Sequence, residues 1–161
     1  MHILIAILLL SLIMFTFFLL YRRIPSYKGA GIALFREKDG KYELFLGLRK
    51  YNPGKNKWSI PGGGYESYDN SLDVTAKREF TEELSLDFNK LDASFVNEVK
   101  IILPKYKWST FCYVLNKDIR LSQNIHEFSA LKFIPVENLE NLDLNLFVRT
   151  EVSKFLKAKS K

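Results

Sequence analysis

The chain has 161 residues, 24 Lys and Arg against 18 Asp and Glu, and a formal net charge of +6. That length holds one ordinary domain and little more. Hydrophobic residues make up 47% and aromatic ones 14%, which excludes intrinsic disorder. The single Cys112 excludes a disulfide framework, and no Cys/His spacing of a zinc site exists.

Residues 1–21 carry no Asp, Glu, Lys or Arg, and residues 3–20 read ILIAILLLSLIMFTFFLL. An apolar helix of that length spans a hydrocarbon core of roughly 30 Å at about 1.5 Å per residue. Tyr21 follows as an interfacial ring, then Arg22, Arg23 and Lys28. No charged residue precedes the run and no small-x-small site follows it, so a retained anchor is favoured over a cleaved signal peptide. The expectation is a transmembrane helix with basic flank over 1–23, a membrane partner, and a single-pass protein whose C-terminal domain (24–161) faces the cytoplasm. Setting Arg22 and Arg23 aside leaves 22 basic against 18 acidic residues, a net +4. The pI is therefore no nucleic-acid footprint, and no nucleic-acid partner is expected.

After a linker broken by Pro25, residues 29–36 (GAGIALFR) and 42–49 (YELFLGLR) predict two strands joined at Asp39-Gly40. Residues 51–57 (YNPGKNK) form a polar loop before an extended Trp58-Ser59-Ile60. Pro61-Gly62-Gly63-Gly64 reads as a tight turn outside any regular element. Leu72, Ala76, Phe80 and Leu84 recur every four residues and predict a helix over 71–86. Strands follow at 95–103, 108–115 and 128–134, and a terminal helix at 145–158. Strands and helices without strict alternation predict an α/β (α+β) layered domain.

On the central helix, Glu79, Glu82 and Glu83 stand at i, i+3 and i+4, on one side and beside the apolar stripe. Alone, such a pattern reads as a solvated face balanced by Lys77 and Arg78. A hard divalent cation would turn the mutual repulsion into binding, because Mg2+ favours carboxylate and carbonyl oxygens. The glycine turn just upstream favours the second reading, since its exposed backbone can approach a metal or a diphosphate closely.

The segment PGGGYESYD followed by REFTEELSL resembles the Nudix box, G-x5-E-x7-R-E-U-x-E-E-x-G-U, with U an aliphatic residue. The preceding LGLRKYNPGKNKWSIPGG is similar to the approach to that box in many Nudix hydrolases, so the resemblance covers about residues 42–86. Three positions depart from the pattern. With Gly63 as the first glycine, Asp69 stands at the Glu position, eight residues instead of seven separate it from Arg78, and Ser85 replaces a glycine. Starting at Gly64 instead puts Asn70 at the Glu position. The first register keeps PGGG-x-E intact and places the extra residue in a loop.

The resemblance implies a Nudix-type α/β/α sandwich with a mixed sheet and hydrolysis of a nucleoside diphosphate linked to another moiety, the substrate partner. It implies that Glu79, Glu82 and Glu83 hold Mg2+ or Mn2+ with the Gly62 carbonyl, and that Arg78 orients a glutamate. The general base is either a box glutamate or a later one, for which Glu127 is the best candidate. Gly63 and Gly64 are expected at the substrate, and Arg49, Lys50, Lys55 and Lys57 border the turn where phosphates could bind. Tyr51, Trp58, Tyr106 and Trp108 could stack on a base or belong to the core, while His126 reads as surface and Cys112 as packing. Two rivals stand beside hydrolysis. One is a Nudix-like nucleotide- or metabolite-binding domain without turnover, and the other a membrane-tethered interaction domain.

Overall fold

The computed structural model describes residues 2–119 and 126–160. The elements run α1 (His2–Arg23), β1 (Tyr27–Lys38), β2 (Lys41–Arg49), β3 (Trp58–Ser59), β4 (Gly62–Gly64), α2 (Leu72–Leu84), β5 (Ala93–Leu103), β6 (Tyr106–Leu115), β7 (Phe128–Pro135) and α3 (Val148–Lys159). Short 3-10 turns at Phe88–Lys90 and Val136–Asn141 complete them.

Asp39 and Gly40 both take positive φ (50° and 74°) between paired Lys38 and Lys41, the left-handed pair that a two-residue hairpin requires. Near this turn β1 and β2 pair antiparallel, from Phe35↔Leu44 to Lys38↔Lys41. Further from it they part. Gly29–Gly31 of β1 pair with β4, and Gly47 and Leu48 of β2 pair with β3. The glycine turn is therefore a wedge between two splayed strands. Its Gly62–Gly64 stretch, expected outside regular structure, is a strand because β1 offers it a free edge.

On its other side β1 runs parallel to β6, which pairs antiparallel with β5, while β7 closes against β2. The sheet is mixed, in the order β3-β2-β1-β6-β5. Ala30, Ile32 and Leu34 face α2 through Ala76, Phe80 and Leu84. Ala33 and Phe35 face α3 through Val148, Val152 and Phe155. Helices on both faces account for the unbroken burial of β1 from Gly29 to Phe35. The result is an α/β/α sandwich.

α2 starts at Ser71, whose side chain accepts from the Val74 amide, and ends at Ser85 in the left-handed region (φ 52°, ψ 34°). That is the conformation for which helices prefer glycine, and it places the helix end two residues earlier than the apolar spacing alone predicts.

The N-terminal expectation is corrected here. Among the described residues no helix is long and apolar enough to cross a membrane. The single-pass placement with a cytoplasmic C-terminal domain therefore does not stand, and the transmembrane helix and the membrane partner gain no support from the structure. What ties α1 to the sandwich is Lys105, whose Nζ donates to the Arg22 and Ile24 carbonyls at 3.0 and 2.6 Å.

Candidate active site

The glycine wedge lies along the N-terminal half of β1, and at Gly62 and Gly63 no side chain fits. A Cβ at Gly62 (φ 154°) would lie 2.5 Å from the Ala30 carbonyl, and one at Gly63 would lie 2.5 Å from the Glu79 carboxylate. α2 crosses this backbone directly. The Gly62 amide donates to Glu83 Oε2 at 3.0 Å, so the contact observed from Gly62 to the helix is made by its N–H.

Arg78 ties the helix to the loop that enters it. Its Nε and one Nη donate to the two oxygens of Asp69, each at 3.1 Å, and the same Nη reaches the Gly64 carbonyl at 2.9 Å. The other Nη meets Glu82 at 2.9 Å and Glu79 at 3.0 Å. Asp69 is buried and also accepts from the Glu66 amide and the Thr75 hydroxyl. Arg78 beside it, assisted by these donors, holds its carboxyl down to about 2 against the cost of burial. The Asp69 carboxylate thus orients the arginine that shapes the site.

The carboxylates of α2 separate by environment. Glu83 is 5% exposed. Burial, and then the Glu127 carboxylate within hydrogen-bonding reach, push its pKa up to about 9 against the pull of the Gly62 amide. Glu79 is raised mainly by burial, with Arg78 opposing. Glu82 is different: its side chain is 57% exposed on Arg78, and it does not line the cavity that Glu79 and Glu83 share.

That cavity has a volume of about 600 Å3, within the range of small-molecule sites. Gly62, Gly63, Gly64, Glu79, Glu83, Glu127 and Arg49 all line it. Arg49 is set by donation to the Pro53 carbonyl at 2.9 Å and faces Glu127 at 3.8 Å. Lys50, Lys55 and Lys57 do not line it, and Lys57 pairs with Asp143. Of the four named aromatics, Tyr106 and Trp108 line the cavity, Trp58 packs with the core under α3, and Tyr51 is exposed. His126 is exposed, and burial pushes the Cys112 thiol up to about 12.

Tyr27, Asn145, Phe147 and Glu151 are among the lining residues that escaped the sequence reading. Tyr27 comes beside Tyr106 only through the parallel β1–β6 register. Glu151 carried a local signal, since it stands on the Val148, Val152, Phe155 stripe of α3 where an apolar residue belongs.

Among the described residues, no group of three or more His, Cys, Asp or Glu is gathered closely enough to hold a metal ion. The donor chemistry nonetheless suits a hard cation: buried Glu83 and half-buried Glu79 are acids raised by desolvation, and oxygen donors of this kind are what Mg2+ takes.

The NUDIX domain family model matches residues 25–155. The chain belongs to the NUDIX domain family. No curated protein matches its sequence significantly. Among solved structures, the NUDIX domain of Shewanella oneidensis NrtR complexed with ADP ribose is 18% identical, with a TM-score of 0.62 over 86% of this chain and 90% of that one. The C. elegans Ap4A hydrolase binary complex is 20% identical, with a TM-score of 0.59 over 83% and 95%. The bifunctional NMN adenylyltransferase/ADP ribose pyrophosphatase of Francisella tularensis is 18% identical, with a TM-score of 0.68 over 88% of this chain and 46% of that one. These likenesses concern the fold. This NUDIX domain keeps its acidic helix and glycine wedge on one cavity wall.

Proposed function

We propose that the protein is a metal-dependent hydrolase that cleaves a diphosphate linkage in a nucleoside diphosphate derivative: a nucleoside triphosphate, a nucleotide sugar or a dinucleotide. The observation that carries this is the meeting of Glu79, Glu83, Glu127, Arg49 and the glycine wedge around one cavity. Glu79 and Glu83, with Glu82 and the Gly62 carbonyl, are the residues to hold Mg2+ or Mn2+, which when bound supplies charge neutralisation for the diphosphate. Glu82 reaches that set by leaving Arg78.

The chain's own groups account for the rest. Arg49 and the wedge backbone position phosphate oxygens, and positioning with electrostatics does most of the work in such a transfer. Glu127, at the cavity mouth and 46% exposed at its side chain, takes the proton of the attacking water. The water oxygen bonds to phosphorus as the bridging P–O bond breaks and the leaving phosphate departs. Arg78, locked by Asp69, holds α2 in register with the wedge.

The test is incubation of the full chain with Mg2+ and a panel of nucleoside triphosphates, nucleotide sugars, dinucleotides, ADP ribose and Ap4A, the last two prompted by the ligands and activities named for the fold relatives. Metal-dependent release of phosphorylated products is the expected result. Glu82 turned outward onto Arg78 favours a second reading, ligand binding without turnover. Binding across the panel with no product would establish that instead.

A further inference from the structure

The cavity wall holds a group that the proposed hydrolysis does not use. Glu151 of α3 lines the cavity yet is only 2% exposed. Its partners on one side are fixed in direction. The Trp108 indole N–H donates to the Thr110 hydroxyl at 2.8 Å, and that hydroxyl donates to Glu151 Oε1. Oε2 is buried with no hydrogen-bond partner. A buried carboxylate oxygen left in that state is costly, and the place of Glu151 in the cavity lining points to a ligand that supplies the missing donor.

The surrounding surface narrows that ligand. Tyr27 and Tyr106 stack with centroids 5.4 Å apart and only 15° between planes, and Tyr27 and Trp108 lie at 6.4 Å and 11°. Phe147 packs on Tyr106 at 6.0 Å, and all four rings line the same cavity. Such a wall suits a flat heteroaromatic ring. A phosphate would be repelled by Glu151, so the charged end of a substrate belongs with Arg49 and the wedge, and its ring belongs here.

We propose that Tyr106, Trp108, Phe147 and Glu151 form a nucleobase subsite in which Glu151 Oε2 accepts a hydrogen bond from an exocyclic amine, selecting adenine, guanine or cytosine over uracil. Uracil sets two carbonyl oxygens beside its single N–H, and these would oppose the carboxylate. Burial brings the Glu151 pKa to about 7, opposed by Thr110 and Trp108, so the acceptor form prevails at mildly alkaline pH.

The inference rests on the substrate being a nucleotide, but its test needs no turnover. AMP, GMP, CMP and UMP contain no diphosphate, and their affinities for the full chain are measured by calorimetry near pH 8. One charge-assisted hydrogen bond should make at least one amino-bearing monophosphate bind about tenfold tighter than UMP. Glu151→Gln keeps an oxygen for Thr110 but presents an N–H to the ligand, and should reduce that ratio below about threefold. The wild-type ratio does not depend on the variant's folding, and thermal melting reports whether the variant is native. UMP binding as tightly as the others, no binding of any monophosphate, or a ratio unchanged in folded Glu151→Gln overturns the subsite. Hydrolysis of diphosphates without base discrimination would leave the hydrolase standing and remove this inference. Discrimination without hydrolysis would do the reverse.

Discussion

Glu83→Gln separates what the fold tolerates from what the site needs. In the fold the Glu83 carboxyl is raised from 4.5 to about 9, so without metal at neutral pH it holds a proton that the unfolded chain has released. The folded state binds the extra proton, and the stability linked to this group is fully present below about 4.5, then falls as pH rises towards 9. At about 1.36 kcal/mol per pH unit, the loss at pH 7 reaches about 3 kcal/mol. Glutamine needs no proton. Its oxygen can face the Gly62 amide and its N–H the Glu127 carboxylate, as the protonated acid does. In EDTA at pH 7 the variant should therefore melt above wild type, by roughly 10 °C for a domain of this size. The gap should close near pH 5. Added Mg2+ should raise the wild-type melting temperature by mass action, leave the variant unmoved, and restore activity to wild type alone. Melting curves from pH 5 to 9, with EDTA and with Mg2+, measure all of this. A variant less stable than wild type at pH 7 in EDTA, or a gap independent of pH, would refute the reasoning.

Asp69→Asn removes the charge that faces Arg78 in a buried pair. It should cost about 3 kcal/mol and lower kcat, with Asp69→Glu closer to wild type because it keeps the charge. Since the Asp69 carboxyl is held down to about 2, the wild-type advantage over Asn is present above pH 4 and fades as pH falls towards 2, which acid unfolding followed by circular dichroism would report. Gly63→Ala places a methyl 2.5 Å from the Glu79 carboxylate, the flexible end of its side chain. Melting should hardly change while turnover drops at least about tenfold and the Mg2+ requirement rises, and unchanged kinetics would count against Glu79 as a ligand. Gly47→Ala instead drives a methyl into the Phe128 ring, a rigid core group. Overpacking there should cost about 1–3 kcal/mol in a denaturant titration, and because Phe128 adjoins Glu127, kcat should fall as well.

Features that depend on neighbours along the chain were legible in the residues. Asp39-Gly40 sets the first hairpin, the four-residue spacing of Leu72, Ala76, Phe80 and Leu84 sets α2, and the i, i+3, i+4 placement of Glu79, Glu82 and Glu83 follows from helical geometry. The resemblance of the PGGG and REFTEEL segments to one family pointed to the same stretch that carries the cavity wall. Local signals had less reach at helix ends, where Ser85 entered the left-handed region two residues early. They also failed at the N-terminus, where apolar composition predicted a membrane span, whereas among the described residues no helix is long and apolar enough to cross a membrane.

The pairing of distant segments was decided by tertiary structure alone. A glycine stretch has no pattern that says it will become an edge strand. It does so because β1 and β2 splay and leave backbone groups to be satisfied. Which helix carboxylate enters the cavity was equally hidden. All three share one side of α2, but Arg78, fixed by Asp69 from the preceding loop, holds Glu82 out, while the Gly62 amide draws Glu83 in. Tyr27, Tyr106 and Glu151 are separated by most of the chain and meet through a parallel strand register and the packing of α3. The sequence by itself therefore determined the local elements and the charges they carry. Burial and partnership, which give each of those charges its chemistry, exist only once remote segments have excluded water between them.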